Sequence, residues 1–421
     1  MLPGCRLQSR KTSARNLTQL RGVGSSQIDG NRRCQHLPGR RTVTSTPART
    51  VDSSARVGVI GSGIAGASAA FGLASRGVDV TIVDDAMAGQ ATAASAGIIA
   101  PWVSTSTGAF YETYAAGGNF YPAFLEALRT LGIPDLGYRR SGALVVNNDP
   151  DTLAEAAATI RSRVATAGTV AGEVRYLDAA ELAELFPPIS PDMTGLLITG
   201  GGRVDGRVLR DAILTGARQH GARFIADTAQ AITPSGQGTW SVRTTSAMED
   251  FDALVIAGGA RSADLLGRLG HTVGIVPQRG QLLHMELRGV NTSPWPTIHP
   301  LDHHYITPFD GGRIVAGATR EDGVGFDVRA TAAGTQQVID DALRIAPGLA
   351  EATVLETRVG VRPMSTREGA LPYAGAVPGV DGLWLASGFG AGGLTMGPLI
   401  GDGVARLILG EGAPEIAHLA L

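Results

Sequence analysis

The sequence predicts an α/β fold: a Rossmann-like dinucleotide-binding domain carrying a second, α+β domain built on a mixed or antiparallel sheet. Three observations predict it. An apolar strand, a Gly-x-Gly-x-x-Gly turn, an Ala-rich helix and a second strand ending in an acid follow one another within Arg56–Asp84. A strand that ends in small residues occupies Phe251–Ser262, and a strand, a glycine turn and a helix run from Gly382 to Ile408. Between these landmarks lie stretches of strand composition accompanied by two helical ones.

Each element of the opening has a task. Val57–Ile60 is the first strand, Ala67–Ser75 reads as a helix that Gly77 ends, and Val78–Val83 alternates as the second strand. Gly61 allows the tight turn, Gly63 lets the backbone approach a pyrophosphate, and Gly66 lets helix and strand pack closely. Ser62, Ile64 and Ala65 complete the turn into the helix, whose first N–H groups and positive dipole end suit phosphates. Asp84 stands about 20 residues beyond the turn, where an acid holds the ribose hydroxyls. Its neighbour is Asp85, not a basic residue, which disfavours a 2′-phosphate and hence NADP.

Three features favour FAD over NAD. The chain has no second Gly-x-Gly-x-x-Gly. Ala257 and Gly258 end a buried strand in the way expected where backbone passes close to a cofactor. Gly388, Phe389, Gly390, Ala391, Gly392 and Gly393 form a turn leading through Leu394 and Thr395 into a helix. Such a turn can aim N–H groups at the flavin pyrimidine edge, where negative charge develops on reduction.

Composition bounds the partners. A chain of 421 residues, 43% hydrophobic and 18% charged, has the make-up of a globular protein of two or three domains. The net charge of −2 hides an asymmetry, for residues 1–56 hold 11 basic and two acidic side chains and the remainder 25 basic against 36 acidic. An acidic body argues against nucleic acid. Residues 1–55 are rich in Arg and Ser and poor in apolar residues, so they are expected to be a disordered basic extension or an upstream mis-start, with a superficial likeness to a transit peptide. Cys5 and Cys34 are the two cysteines, so the body can hold no disulfide, no Cys zinc site and no cysteinyl–flavin link. The charge-free stretches Ala86–Phe110 and Leu383–Ile400 are interrupted by polar residues and glycines, so no transmembrane segment is expected. A cytoplasmic protein, open to peripheral contact at the inner membrane face, is the expectation.

The landmarks resemble those of the FAD-dependent D-amino-acid oxidase superfamily, which includes glycine oxidase, sarcosine oxidase and D-amino-acid dehydrogenases. The likeness covers about residues 56–410. Beyond the opening it rests on Ala91–Pro101, Gly202–Leu209, Val276–Leu283, Tyr305-Ile-Thr-Pro with Gly312–Thr319, and Gly360-Val-Arg-Pro-Met. It implies a glutathione-reductase-type FAD domain formed by residues 56–137, 189–260 and 351–421, with a substrate domain formed by 138–188 and 261–350. It sets Thr92, Ser95, Ala96, Gly97 and Ile98 beside the flavin and the Val204 backbone at the adenine. FAD is expected to be noncovalent, because no His falls in the matching early segment. One departure is that many relatives carry His or Arg in the glycine turn, where this chain has Phe389–Gly393.

For the substrate domain, Gly142–Val146, Gln281–Leu287, His304–Thr307 and Arg313–Ala316 have strand composition, and Leu153–Arg163 and Gln336–Ile345 read as helices. Arg362 precedes a proline, which biases it to an extended conformation, and its guanidinium fork suits a carboxylate. An ordinary salt bridge is the alternative for any one arginine among 35. The resemblance gives Arg362 the substrate carboxylate and lets Tyr305 bond it or close the pocket, a core or rim tyrosine being the alternative. His299, His303 and His304 lack the carboxylate companions of a metal site, so no metal is expected. The implied activity is oxidation of a small amino acid (a D-amino acid, glycine or an N-methylglycine) by hydride transfer to flavin N5, giving an imine that hydrolyses to a 2-oxo acid. Oxygen or a quinone would take the electrons. The same scaffold could instead oxidise a 2-hydroxy acid, a cyclic imino acid or a tRNA-linked amine, or hold FAD without catalysis as a subunit of a larger dehydrogenase.

Overall fold

Five consecutive strand residues, four of them buried, start the nucleotide sheet. In a computed structural model, which describes residues 49–421, Arg56–Ile60 pairs in parallel with Asp79–Val83 on one side and Ala253–Ile256 on the other. The sheet is completed by Arg223–Ile225 beyond Asp79–Val83, and by Leu383–Ser387 and Tyr373–Ala376 at the other edge. The strands are apolar on both faces because helices cover them. The helix Ile64–Ala74 is buried along its whole length, against Gly206–Gln219 and Gly393–Ile408. Its small residues permit that closeness: a Cβ on Gly66 would fall 2.0 Å from the Gly61 carbonyl oxygen.

An eight-stranded sheet forms the other half. Its order is Thr353–Ser365, Ile275–Glu286, Arg313–Gly317, Tyr305–Pro308, Thr297–Pro300, Ala143–Asn147, Thr194–Ile198 and Val174–Leu177. All neighbours are antiparallel except Thr297–Pro300 beside Ala143–Asn147, so the sheet is mixed. Helices Pro150–Ala167 and Ala332–Ile345 bury apolar stripes on it. Antiparallel Ala231–Gly236, Thr239–Arg243 and Met248–Phe251, and a small sheet of Ile98–Ile99, Gly202–Val204 and Tyr138–Arg139, complete the strands.

Four expectations are corrected. The strands Thr194–Ile198 and Thr353–Ser365, expected within the nucleotide domain, hydrogen-bond into the eight-stranded sheet. Their long partners lie there, Ile275–Glu286 alone pairing along nearly the whole of Thr353–Ser365. The ordered body also begins before Arg56. The Val51 N–H bonds the Ile408 carbonyl at 2.9 Å and its side chain packs on the C-terminal helix core. The rest of the basic extension, residues 1–48 with both cysteines, lies outside the described residues. A 22-residue helix, Gly108–Arg129, was not anticipated. Val204, finally, sits in the small sheet, fully buried.

Candidate active site

One large cavity, about 1180 Å³, runs from the Gly61–Ala65 turn to the eight-stranded sheet. At its nucleotide end the chain makes a cradle that only glycine allows. Gly61 has φ +101°, and a Cβ there would lie 2.5 Å from the Ala257 carbonyl oxygen. Gly63 caps the helix in extended conformation with no side-chain cap of its own, and the Thr92 hydroxyl accepts from the Ile64 N–H at 3.0 Å. The Asp84 carboxylate takes the Ser62 N–H at 2.5 Å, the Ala86 N–H at 2.6 Å and the Gln90 amide at 2.9 Å, which holds it at the mouth of the turn. Asp85 accepts from Thr228 at 2.9 Å. An 11-residue helix starting from a bare glycine turn, with a fixed acid beside it, fits the pyrophosphate and ribose of FAD.

The structure sorts the remaining expected residues. Gly61, Gly63, Ile64, Ala65, Asp84, Asp85, Thr92, Ser95, Ala96, Gly97, Ile98, Ala257, Gly258, Phe389, Gly390, Ala391, Gly392, Gly393, Leu394 and Thr395 line the cavity, as do Tyr305 and Arg362. Ser62, Gly66 and Gly388 do not. Ser62 is turned to Asp84, Gly66 serves packing, and Gly388 at φ +84° starts the turn against Tyr373. Val204 does not line it either, because its N–H is bonded to the Gly97 carbonyl at 2.7 Å and its strand is paired on both sides. The wall beyond Asp84 and Asp85 is made instead by Asp227, Thr228, Ala229 and Gln230. Sequence reading missed them because the segment carries no turn motif, only its place after the edge strand Arg223–Ile225. The C-terminal turn is steadied by Tyr121, whose hydroxyl donates to the Leu394 carbonyl at 2.6 Å.

At the far end of the cavity lie Arg362, Arg320, Tyr305, Tyr114 and His299. Arg362 is paired in register with Gln278 on the neighbouring strand. Its Nη1 donates to the Gln278 Oε1 at 3.1 Å and to the Thr319 carbonyl at 3.0 Å. Gly280 lies directly under the guanidinium. Neither Arg362 nor Arg320 has a carboxylate at ion-pairing distance among the described residues. Burial pushes the Tyr305 phenol up, although Arg362, which hydrogen-bonds it, and Arg320 pull the other way, so it is a neutral donor. Burial likewise raises Tyr114, whose hydroxyl bonds Thr395, and lowers His299 to about 4. His304 is taken up by Asp341 at 2.7 Å. Arg320 was missed because one arginine among 35, three residues past a strand, carries no sequence signal.

A dinucleotide-binding sheet whose cradle opens into a cavity lined by two arginines under a second sheet is the architecture of a cofactor-dependent oxidoreductase. The chain belongs to the DAO family of FAD dependent oxidoreductases, whose model matches residues 56–407. FAD is its cofactor. It is similar to the iminodiacetate oxidase IdaA of Chelativorans sp. BNC1, with 40% identity and a TM-score of 0.82 over 87% of this chain and 98% of that one. It is 39% identical to the uncharacterized oxidoreductase YurR of Bacillus subtilis over 84% of this chain and 94% of the relative. The glycine oxidase of Geobacillus kaustophilus aligns at 26% identity and a TM-score of 0.75, covering 87% and 99%.

Proposed function

We propose that this flavoprotein oxidises the C–N bond of a small amino acid, and that its preferred substrate is a secondary amine bearing two carboxylates, of the iminodiacetate type. The observation that carries this reading is the pair of guanidiniums, Arg320 and Arg362, sharing one cavity without carboxylate partners among the described residues. Two unneutralised cations side by side repel; burial first, and then the neighbouring Arg362, hold the Arg320 guanidinium below its ordinary value. A dianion relieves that repulsion. The similarity to an iminodiacetate oxidase and to glycine oxidases supports both the amine and the second carboxylate.

Noncovalent FAD, held by the two glycine turns, supplies the hydride acceptor. The chain's own residues do the rest. Arg362, its Nη1 anchored by Gln278 and Thr319, presents the remainder of its fork to one carboxylate. Tyr305 donates to the same group. Orientation supplies most of the catalysis, since a neutral amine needs no protein base to lose hydride from its α-carbon. Loss of hydride leaves an imine, which water splits into a 2-oxo acid and the residual amine.

The test is anaerobic bleaching of the flavin by glycine, sarcosine, D-alanine, D-proline, iminodiacetate and 2-hydroxyglutarate. Iminodiacetate is expected to bleach fastest, with peroxide on readmitting air if oxygen is the acceptor. Bleaching by 2-hydroxyglutarate alone would overturn the proposal. Arg362→Ala should raise KM roughly a hundredfold, as for loss of a charge-assisted bidentate contact worth about 3 kcal/mol, with flavin retained. Arg320→Ala should raise KM for iminodiacetate and leave that for glycine nearly unchanged.

A further inference from the structure

His299 lies on the strand Thr297–Pro300, whose antiparallel register sets Ile298 opposite Ile306. One residue along, that register puts His299 opposite Tyr305, on the same face of the sheet, where cross-strand Cβ atoms stand about 5 Å apart. Both side chains line the cavity. The imidazole Nε2 is 2.8 Å from the Thr297 Oγ1. That hydroxyl has a single proton, which it can give to the Gly142 carbonyl 3.4 Å away. With the proton placed there, the ring Nε2 donates to Thr297 and Nδ1 is a lone-pair acceptor. Nδ1 has no hydrogen-bond partner among the described residues and is not among their enclosed unpartnered atoms. Arg320 and Arg362, which are pure donors, and Tyr305, a neutral phenol, line the same cavity.

From this geometry we infer that His299 is the substrate's amine anchor, its Nδ1 accepting an N–H while Arg362 and Tyr305 hold the carboxylate. The inference rests on the reading of the substrate as an amino acid. It gives the cavity a cationic donor end for carboxylate and an uncharged acceptor for nitrogen, which together fix which face of the α-carbon meets the cofactor. Imidazole stays uncharged here, because burial holds it near 4, so at neutral pH it accepts a hydrogen bond without adding a third cation. Its role is binding and orientation, not proton removal.

The test compares two ligands that differ at one atom, iminodiacetate and diglycolate, the latter having an ether oxygen in place of the N–H. Dissociation constants come from the flavin spectrum, by saturation of the anaerobic half-reaction for the first and by a difference titration for the second. His299→Phe should weaken iminodiacetate about tenfold, the loss of one hydrogen bond of about 1.4 kcal/mol, and leave diglycolate within twofold. His299→Asn, whose Oδ1 can replace Nδ1, should recover most of the affinity. Equal weakening of both ligands, or of neither, would overturn the inference. Should the Phe variant not retain flavin, nitrogen-15 NMR of the wild-type imidazole decides. The Nδ1 resonance is expected to move with an amine that lacks an α-hydrogen, such as 2-aminoisobutyrate, and not with isobutyrate. An unmoved resonance overturns the inference. If no amine bleaches the wild-type flavin, the functional reading and this inference fall together; if amines bleach it and His299→Phe keeps the wild-type discrimination, only the inference falls.

Discussion

A side chain at position 280 would place its Cβ 2.4 to 2.7 Å from three atoms of the Arg362 guanidinium. Those atoms end a flexible side chain, so it is Arg362 that would move. Gly280→Ala should therefore leave FAD bound and the protein folded while raising KM for the substrate about tenfold, the effect of tilting a bidentate clamp out of register. Steady-state kinetics with flavin content measured on the same sample checks this; unchanged KM would show that the guanidinium is not used. Gly66→Ala is the counterpart at the other end of the cavity. With no space for a methyl beside the Gly61 carbonyl, it should cost cofactor and yield colourless protein. The two glycines differ in how they could be read. Gly66 stands in a motif whose spacing carries its task. Gly280 owes its task to the register of Gln278 on Arg362, and register between distant strands is not written in either strand alone.

At the scale of elements, the segment Thr319–Thr331 is a strap fastened by one strand. Arg279, with its side chain only 6% exposed, reaches Glu321 at 2.6 Å and Asp327 at 2.8 Å. Gln281 bonds Glu321 at 2.7 Å and Thr331 at 3.0 Å. Between these fastenings the strap carries Arg320, Phe326 and Val328 into the cavity wall. Burial would raise the Glu321 pKa, but the hydrogen bonds from Arg279, Thr319 and Gln281 outweigh it and hold the carboxyl below its ordinary value; Asp327 is likewise lowered, first by Arg329. A carboxylate with a depressed folded-state pKa stabilises above its unfolded value, about 4.3 for Glu, and loses that stabilisation as the pH falls through the folded one. The strap is thus expected to hold at neutral pH and to loosen in acid. Arg279→Met should loosen it at neutral pH, so that trypsin cuts after Arg320 or Arg329 at least tenfold faster than in the wild type. Equal cleavage rates would show that Arg279 does not fasten it. The helix Gly108–Arg129 marks what the sequence conceals at this scale. It contains Gly117, Gly118 and Pro122, poor helix formers, because its flank must approach other backbone. A Cβ at Gly117 would lie 2.5 Å from the Thr395 carbonyl oxygen, and one at Gly118 would lie 2.6 Å from Pro101. Packing overrode propensity there, so the periodic signal that revealed Pro150–Ala167 and Ala332–Ile345 was lost.

Over the whole molecule, the nucleotide half was legible because strand, turn, helix, strand and acid are contiguous in the chain. The eight-stranded sheet draws strands from Ala143 to Ser365, so its membership follows from long-range pairing that composition does not encode. The two halves close on the same cavity. Arg261, just beyond the nucleotide strand Ala253–Ile256, stacks on Phe326 of the strap with its guanidinium carbon 4.2 Å from the ring centre. Residues 49–421 lie in one compact unit, and a ligand spanning its cavity must stabilise both sheets together. Free FAD at a hundredfold excess over Kd should add about 2.7 kcal/mol, which for a chain of this size means a rise in Tm of about 3 °C. Heating the holoprotein while following flavin release and tryptophan fluorescence tests the coupling, since Trp384 reports on the nucleotide sheet and Trp295 on the core beneath the other. Coincident transitions are expected, because the glycine turns and the strap line the same cavity. Release of flavin several degrees before any change at tryptophan would mean that the cavity opens while both sheets persist, and the two halves would then be joined more weakly than their shared lining implies.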